Sequence, residues 1–342
     1  MIVGGVPLLF GAPRAEAIAL GSDATPRVLV YAWSATGFGT IFANPATLPT
    51  AGATGVAFTS NGDAIATSHG GTPYTTAYPW SESGFGTKFA DPATLPIDNG
   101  NCVAFTASKD AIAVGFSTTT PFVHVYSWSS SGFGTKFTNP ATTPPDAGMG
   151  VAFTSNGDAI AVGHIGTPFV SAYPWSISGF GTKFANPATL PAGNAFCIAF
   201  TENRDAISVG HATTPFVTAY PWSTAGFGTK YANPATLPPD TIRGVAFTSN
   251  GDAIAVSHNI SPYITIYPWS ISGFGTKFAN PATVPTGTGR GVVFTAKRDA
   301  IAVAHQNTPF VSAYPWSTAG FGTKFANPAT LATDAGLSVA FT

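Results

Sequence analysis

Charged side chains are scarce in this chain. Asp, Glu, Lys and Arg together make up 8% of its 342 residues, and the net charge is −1. In ordinary globular domains about a quarter of all residues are charged. A nucleic-acid-binding domain needs a clustered basic surface, which this composition does not supply. We therefore expect no nucleic-acid partner.

Long apolar runs are missing as well. Gly, Pro, Ser or Thr interrupts each apolar stretch well before the ~18 residues that a membrane-spanning helix requires, so we expect no membrane insertion. A signal peptide has basic residues before its apolar segment, and the apolar start of this chain has none. We expect residues 1–14 to form a leader or an extra strand, and residues 15–342 to form one domain.

Cysteine is rare, with two residues in the whole chain. Cys102 and Cys197 occupy the same place in two repeats that a third repeat separates, so a disulfide between them is not expected on geometric grounds. Sequence motifs of nucleophilic or metal-dependent hydrolases and phosphate-binding loops are also missing. The sequence therefore predicts no catalytic residues, no metal site and no cofactor.

A repeat of 47 residues, once 48, dominates what is present. It is marked by seven tryptophans at Trp33, Trp80, Trp128, Trp175, Trp222, Trp269 and Trp316. A period of this length with four short strand-like segments per unit is typical of propeller blades. The sequence predicts an all-β, seven-bladed β-propeller with four-stranded antiparallel blades.

One unit illustrates the predicted strands. Asn156-Gly157 indicates a type I′ hairpin turn, Pro174 is expected to end the third strand, and Lys183 is expected to be exposed on the outer strand. The four strands are predicted over residues 151–154, 158–163, 169–173 and 180–184, and the first would line the channel. The last residues, 337–342, form a first strand without a following blade. We expect them to complete the N-terminal blade and so close the ring.

The segment VAFTSNGDAIAVGH resembles the first hairpin of WD40 repeats, although the Trp-Asp dipeptide of that family is replaced by Tyr-Pro. The unit is more similar to propeller repeats of bacteriophage and bacterial proteins that contain the phrase NPATLP. That phrase stands here at residues 44–49, 186–191 and 233–238. The resemblance implies a propeller fold and a virion or surface binding role.

Five histidines end the predicted second strand of their blades, where the other two blades have Ser22 and Phe116. They are His69, His164, His211, His258 and His305. Equivalent positions in adjacent blades stand too far apart to share a metal ion, so we expect residues that cap a turn. A second hypothesis is that these imidazoles form a rim that makes partner binding pH-sensitive. A similar ring of Asp residues at the first hairpin is expected to be structural.

Differences between copies concentrate in two loops, the turn after the second strand and the loop between blades. Propeller geometry places both on one face, and loops on a rigid scaffold carry most binding functions. We therefore expect binding on this loop face. The candidate residues are the five histidines together with Asn99, Met149, Arg243 and Arg290.

From these observations we expect a non-enzymatic structural or attachment protein. Its place would be a phage virion, on capsid or tail, or an extracellular surface, with neighbouring proteins or a host-surface molecule as partners. The alternative is a multivalent carbohydrate-binding, lectin-like propeller that takes a glycan. An enzyme would require blades to break the symmetry with polar residues near the channel, which the sequence does not clearly indicate.

Overall fold

The computed structural model describes residues 16–342 as a ring of seven four-stranded antiparallel sheets. Each sheet is one blade, numbered 1 to 7 along the chain, and its innermost strand lies next to the innermost strands of both neighbouring blades. The predicted all-β, seven-bladed β-propeller is confirmed. Within the described residues, no helix has the length and apolar character to cross a membrane. The predicted leader or extra strand, residues 1–14, lies outside this range.

The 28 strands follow the same pattern in every blade. In chain order, the strands of blades 1 to 4 are β1 (Ala17–Ser22), β2 (Val28–Ser34), β3 (Gly37–Ile41), β4 (Ala53–Phe58), β5 (Ala64–His69), β6 (Thr75–Ser81), β7 (Gly84–Phe85), β8 (Gly100–Phe105), β9 (Ala111–Phe116), β10 (Val123–Ser129), β11 (Gly132–Lys136), β12 (Gly148–Phe153), β13 (Ala159–His164), β14 (Val170–Ser176) and β15 (Gly179–Phe180). Those that follow are β16 (Ala195–Phe200), β17 (Ala206–His211), β18 (Val217–Ser223), β19 (Gly226–Phe227), β20 (Ile242–Phe247), β21 (Ala253–His258), β22 (Ile264–Ser270), β23 (Gly273–Phe274), β24 (Gly289–Phe294), β25 (Ala300–His305), β26 (Val311–Ser317), β27 (Gly320–Phe321) and β28 (Gly336–Phe341).

The ring closes through the C-terminal strand. β28 pairs with β1, with Ile18 opposite Phe341 and Leu20 opposite Val339, and becomes the innermost strand of blade 1. The predicted closure is confirmed. Without β28, the edge of β1 would be open to pairing with another chain.

Neighbouring blades pack through the repeated tryptophan. The Trp80 ring lies edge-on to Phe42 of the preceding blade, with centroids 4.9 Å apart, and to Phe58 and Phe85 of its own blade at 5.6 and 5.0 Å. Edge-to-face aromatic pairs contribute roughly 0.5–1.5 kcal/mol each beyond area burial. The same arrangement at the other interfaces explains why aromatic residues recur at a fixed period.

The outer half of blades 2, 4, 5, 6 and 7 differs from the prediction. The third strand β14 continues through Pro174, whereas the outer strand β15 is only two residues long. The Trp175 N–H donates inward to Asp158 O, so the preceding backbone nitrogen, which in Pro174 lacks a hydrogen, faces the outer strand. Blades 1 and 3 have Ala32 and Ser127 at this position, and their outer strands extend over five residues.

The predicted exposure of the outer-strand lysine is also wrong. Lys183 is half-buried, and its ammonium group donates to the Asn186 side chain at the start of the NPATLP phrase. Lys136 makes the same bond to Asn139 at 2.6 Å. The asparagine of the phrase thus holds the lysine against the blade.

The first hairpin is not a type I′ turn. Only Gly157 has a positive φ, 69°, and its N–H donates to Thr154 O at 2.9 Å, as in a type I turn that ends in a left-handed residue. Arg204 takes this position in blade 5 with φ 60°, and its guanidinium lies 3.0 Å from the Asp158 carboxylate of blade 4. The alternation of Gly with Lys or Arg between blades thus produces ion pairs between successive blades.

The third-strand tyrosine ties the NPATLP loop to the next blade. Tyr220 is fully buried, and its hydroxyl donates to Thr189 O at 2.7 Å. Tyr31 occupies the same position in blade 1 and is equally buried, yet its hydroxyl has no hydrogen-bond partner among residues 16–342. One chain therefore contains both a bonded and an unbonded copy of the same tyrosine.

We predict that Tyr220→Phe lowers the free energy of unfolding by roughly 0.5–1.5 kcal/mol, because it removes one buried hydrogen bond. Tyr31→Phe is the matched control and should be neutral or slightly stabilising. Urea midpoints of both variants, compared at unchanged m-value, test this. Equal losses in the two variants would contradict the assigned role of the Tyr220 hydroxyl.

Candidate functional site

A ring of seven side chains surrounds the mouth of the central channel on the loop face. Each is the second residue of an innermost strand, and this is a strand position at which the copies differ strongly. In order around the ring they are Thr54, Asn101, Met149, Phe196, Arg243, Arg290 and Leu337. They line a cavity of about 190 Å³ that is open to solvent. We call this set the mouth ring.

The next residue of each inner strand explains why these side chains reach the cavity. It is Gly, Cys or Ser, because neighbouring inner strands approach closely there: a Cβ on Gly150 would lie 2.9 Å from Cys197 Cα. Small residues at this position let the inner strands converge. The mouth-ring residue before it is the unpaired residue of a β-bulge: Gly148 pairs with His164 and Gly150 with Gly163, so Met149 has no partner on the second strand and its side chain lines the channel.

Arg243 and Arg290 stand side by side on blades 6 and 7. The Arg243 guanidinium lies over the Phe196 ring, 4.3 Å from its centroid, and Nε donates to Asn259 Oδ1 at 3.3 Å. Burial, and then the positive charge of Arg290, lower the pKa of Arg243, while Asp240 acts in the opposite direction. Two positively charged side chains therefore lie next to each other at a partly buried position.

Arg290 holds an unused donor. Its Nε is buried and has no hydrogen-bond partner in the described part of the chain. A buried unsatisfied donor costs about 1–3 kcal/mol, more when the group is charged. The described residues that line the cavity and the upper channel include no Asp, Glu or His. This pair can therefore take up a negatively charged or strongly polarised oxygen from outside the protein.

The remaining polar members of the ring are already hydrogen-bonded. The Thr54 hydroxyl donates to Gly100 O at 2.6 Å. The Asn101 amide donates to Gly148 O at 3.0 Å and accepts from Ser117 Oγ at 3.1 Å. Both side chains serve to join neighbouring strands and loops.

Three of the residues selected from the sequence, Met149, Arg243 and Arg290, meet in the mouth ring, whereas Asn99 lies exposed in the loop before β8. Sequence reasoning missed Thr54 and Phe196 as well as Asn101 and Leu337. It searched the loops for differences between copies. Comparison of the second residue of every inner strand would have found all seven.

The five histidines lie inside the blades and not on the loop face. Each is fully buried at the end of its second strand. In blade 4, His164 Nε2 is 3.1 Å from Ser171 Oγ and Nδ1 is 2.7 Å from Gly166 O. Burial lowers the pKa of His164 to about 4, as it does for His69, His211, His258 and His305. The expected rim of imidazoles is therefore a set of neutral internal groups.

The aspartate ring and the cysteines have structural surroundings. Thr154 Oγ1 donates to Asp158 Oδ1 at 2.7 Å, and the equivalent pair recurs in blades 2 to 7. Cys102 and Cys197 are free thiols beside the channel, and burial raises the pKa of each to about 12. Within residues 16–342, no three His, Cys, Asp or Glu side chains are grouped to hold a metal ion.

Comparisons with known proteins bear on the fold. No protein-family model matches the chain, and no curated protein matches it. Many solved structures share its fold. A Bacteroides fragilis protein described provisionally as a 6-phosphogluconolactonase is similar with a TM-score of 0.78 at 10% identity, over 96% of this chain and 98% of that one. Pseudomonas aeruginosa periplasmic gluconolactonase is similar with a TM-score of 0.71 at 13% identity, over 95% and 98%.

These similarities establish the seven-bladed propeller, because identities this low reflect the fold alone. They do not support WD40 or NPATLP-type repeats in particular. The expected non-enzymatic structural or attachment protein, with its lectin-like alternative, is contradicted by neighbours that are named as lactonases. The physical reason for the error is that Arg243 and Arg290 do break the symmetry of the blades at the channel, and the sequence reasoning assigned them to a loop surface.

We predict that the protein loses stability as pH falls from about 6.5 toward about 4. The folded-state pKa of the buried histidines lies below the unfolded value of about 6.5, so the unfolded chain binds protons first. The Asp63 carboxyl, with a pKa of about 2, adds its loss only at lower pH. His164→Phe, which copies Phe116 of blade 3, should reduce this dependence. Thermal midpoints at pH about 7.5 and about 5 test it, and unchanged pH dependence in the variant would contradict the assignment.

Proposed function

We propose that this protein is a hydrolase of small lactones, and that the cavity of the mouth ring is its active site. The observation that carries the proposal is the pair of guanidinium groups of Arg243 and Arg290, which line a water-accessible cavity. The lactonase names of proteins with the same fold support the choice of reaction.

The proposed reaction uses the two arginines for electrostatic stabilisation. Water attacks the carbonyl carbon of the cyclic ester, and the negative charge that develops on the carbonyl oxygen accepts hydrogen bonds from Arg243 and Arg290. The bond between the carbonyl carbon and the ring oxygen then breaks. The ring oxygen takes up one proton of the attacking water and becomes the alcohol of the product, and the new carboxylic acid releases its proton to solvent as it becomes a carboxylate.

The arrangement favours the transition state because the donors are fixed before the reaction. Asn259 and the Phe196 ring hold Arg243 from two sides, and Arg290 lies beside it on strand β24. A planar guanidinium can direct two hydrogen bonds at one oxygen or at a carboxylate. The carboxylate product should therefore bind to the same pair and inhibit the reaction.

We predict that Arg290→Gln lowers kcat/KM for lactone hydrolysis by at least about 100-fold, the usual effect of removing one donor to an oxyanion. Arg204→Gln removes the same charge on the opposite face and should leave the rate unchanged. Proton release from glucono-δ-lactone and dihydrocoumarin, corrected for spontaneous hydrolysis, provides the measurement. Equal rates for Arg290→Gln and the unmodified protein, or no hydrolysis above background for any lactone, would reject the proposal.

A further inference from the structure

The order of residues around the mouth ring gives the cavity two kinds of wall. Arg243 and Arg290 are neighbours, and Phe196 and Leu337 stand directly on either side of them, with Met149 beyond Phe196. In a ring of seven, the place opposite the arginine pair is that of Asn101, with Thr54 and Met149 on either side of it. The cationic pair is thus flanked on both sides by apolar side chains.

The polar residues opposite the arginines offer little to a ligand that carries many hydroxyl groups. The Thr54 hydroxyl hydrogen is donated to Gly100 O, and both the donor and acceptor groups of the Asn101 amide are used within the protein. A buried hydroxyl group that gains no partner costs about 1–3 kcal/mol. A polyhydroxylated sugar acid would therefore lose several hydrogen bonds to water and recover few from the mouth ring.

An apolar ligand body, in contrast, would gain favourable contacts in the cavity. Met149, Phe196 and Leu337 are half-buried, so each still exposes apolar surface at the cavity that a ligand would cover. Covering apolar surface stabilises a complex by roughly 25 cal/mol per Å². The thioether of Met149 also adapts to aromatic or aliphatic groups, since methionine has flexible, polarisable side-chain atoms.

We infer that the mouth ring selects amphipathic ligands: molecules with one carboxylate or lactone carbonyl for Arg243 and Arg290 and an aromatic or aliphatic body between Phe196 and Leu337. The inference rests on the proposed function in placing substrate and product in this cavity, and it names their chemical class. It assigns Phe196 and Leu337 as specificity-determining residues.

Two carboxylates of similar size and equal charge distinguish a preference for an apolar ligand body from a preference for a polyhydroxylated one. Titration calorimetry on the full chain compares 4-phenylbutyrate, which has an apolar body, with gluconate, which has a polyhydroxylated one. We expect 4-phenylbutyrate to bind at least about tenfold more tightly, the discrimination that a small apolar contact provides. Equal binding, or tighter binding of gluconate, would overturn the inference.

Variants identify the residues responsible. Leu337→Asn should weaken 4-phenylbutyrate binding about tenfold and leave sulfate binding unchanged, whereas Leu337→Met should preserve both. Arg290→Gln should weaken binding of both carboxylates. If Leu337→Asn has a lowered thermal midpoint, Met149→Gln serves as the second polar variant of the apolar wall. Unaltered 4-phenylbutyrate affinity in a folded polar variant would overturn the assignment.

The results also separate the two proposals. A preference for 4-phenylbutyrate that depends on Arg290 and Leu337, without hydrolysis of any lactone, would reject the hydrolytic reaction and support the ligand class. Lactone hydrolysis that depends on Arg290, combined with tighter binding of gluconate, would support the reaction and overturn the ligand class.

Discussion

The contact on which the rest of the structure depends is the packing of each tryptophan against aromatic residues of its own and the preceding blade. Trp80 with Phe42, Phe58 and Phe85 is one of seven nearly identical clusters. A single four-stranded sheet cannot bury both of its faces, so each blade is stable only between two others. β28 closes the ring because it pairs with β1 and supplies the innermost strand that blade 1 would otherwise lack.

This constraint fixes most of each repeat and leaves one inner-strand position free. Residues between blades must be similar in every copy because each interface repeats the last. The second residue of an inner strand faces the channel and takes no part in the aromatic packing between blades, so it can vary from blade to blade. Two adjacent arginines at that position give a symmetric scaffold an asymmetric site. The chemistry of the mouth ring follows from differences between copies and not from the repeat itself.

The sequence predicted the fold well because the fold depends on periodicity. The repeat predicts the number of blades from the tryptophan spacing. It also predicts the C-terminal strand that completes blade 1 and the first strand of each unit that lines the channel. The errors concern interactions that no period reveals. The effect of Pro174 depends on which way one backbone nitrogen points, and Lys183 is held by an asparagine three residues later. The left-handed Arg204 satisfies an aspartate of the previous blade, a contact between residues 46 positions apart.

The site was predicted only in part, for a related reason. Differences between copies indicated Met149, Arg243 and Arg290. We nevertheless inferred an attachment surface, because binding was expected on the surface loops and only a structural role was expected for the channel. The histidines looked equally distinctive in the sequence. Their burial depends on hydroxyl partners such as Ser171 on the next strand, which pattern reasoning does not connect to them.

The central claim is that the arginine pair of the mouth ring binds the ligand. Anomalous diffraction from crystals soaked with 4-(4-bromophenyl)butyrate tests it most directly. We expect one bromine site inside the channel mouth, with the carboxylate on Arg243 and Arg290. Bromine found only in the groove between blades 6 and 7, which is lined by Pro268, Phe278 and Trp316, would contradict it.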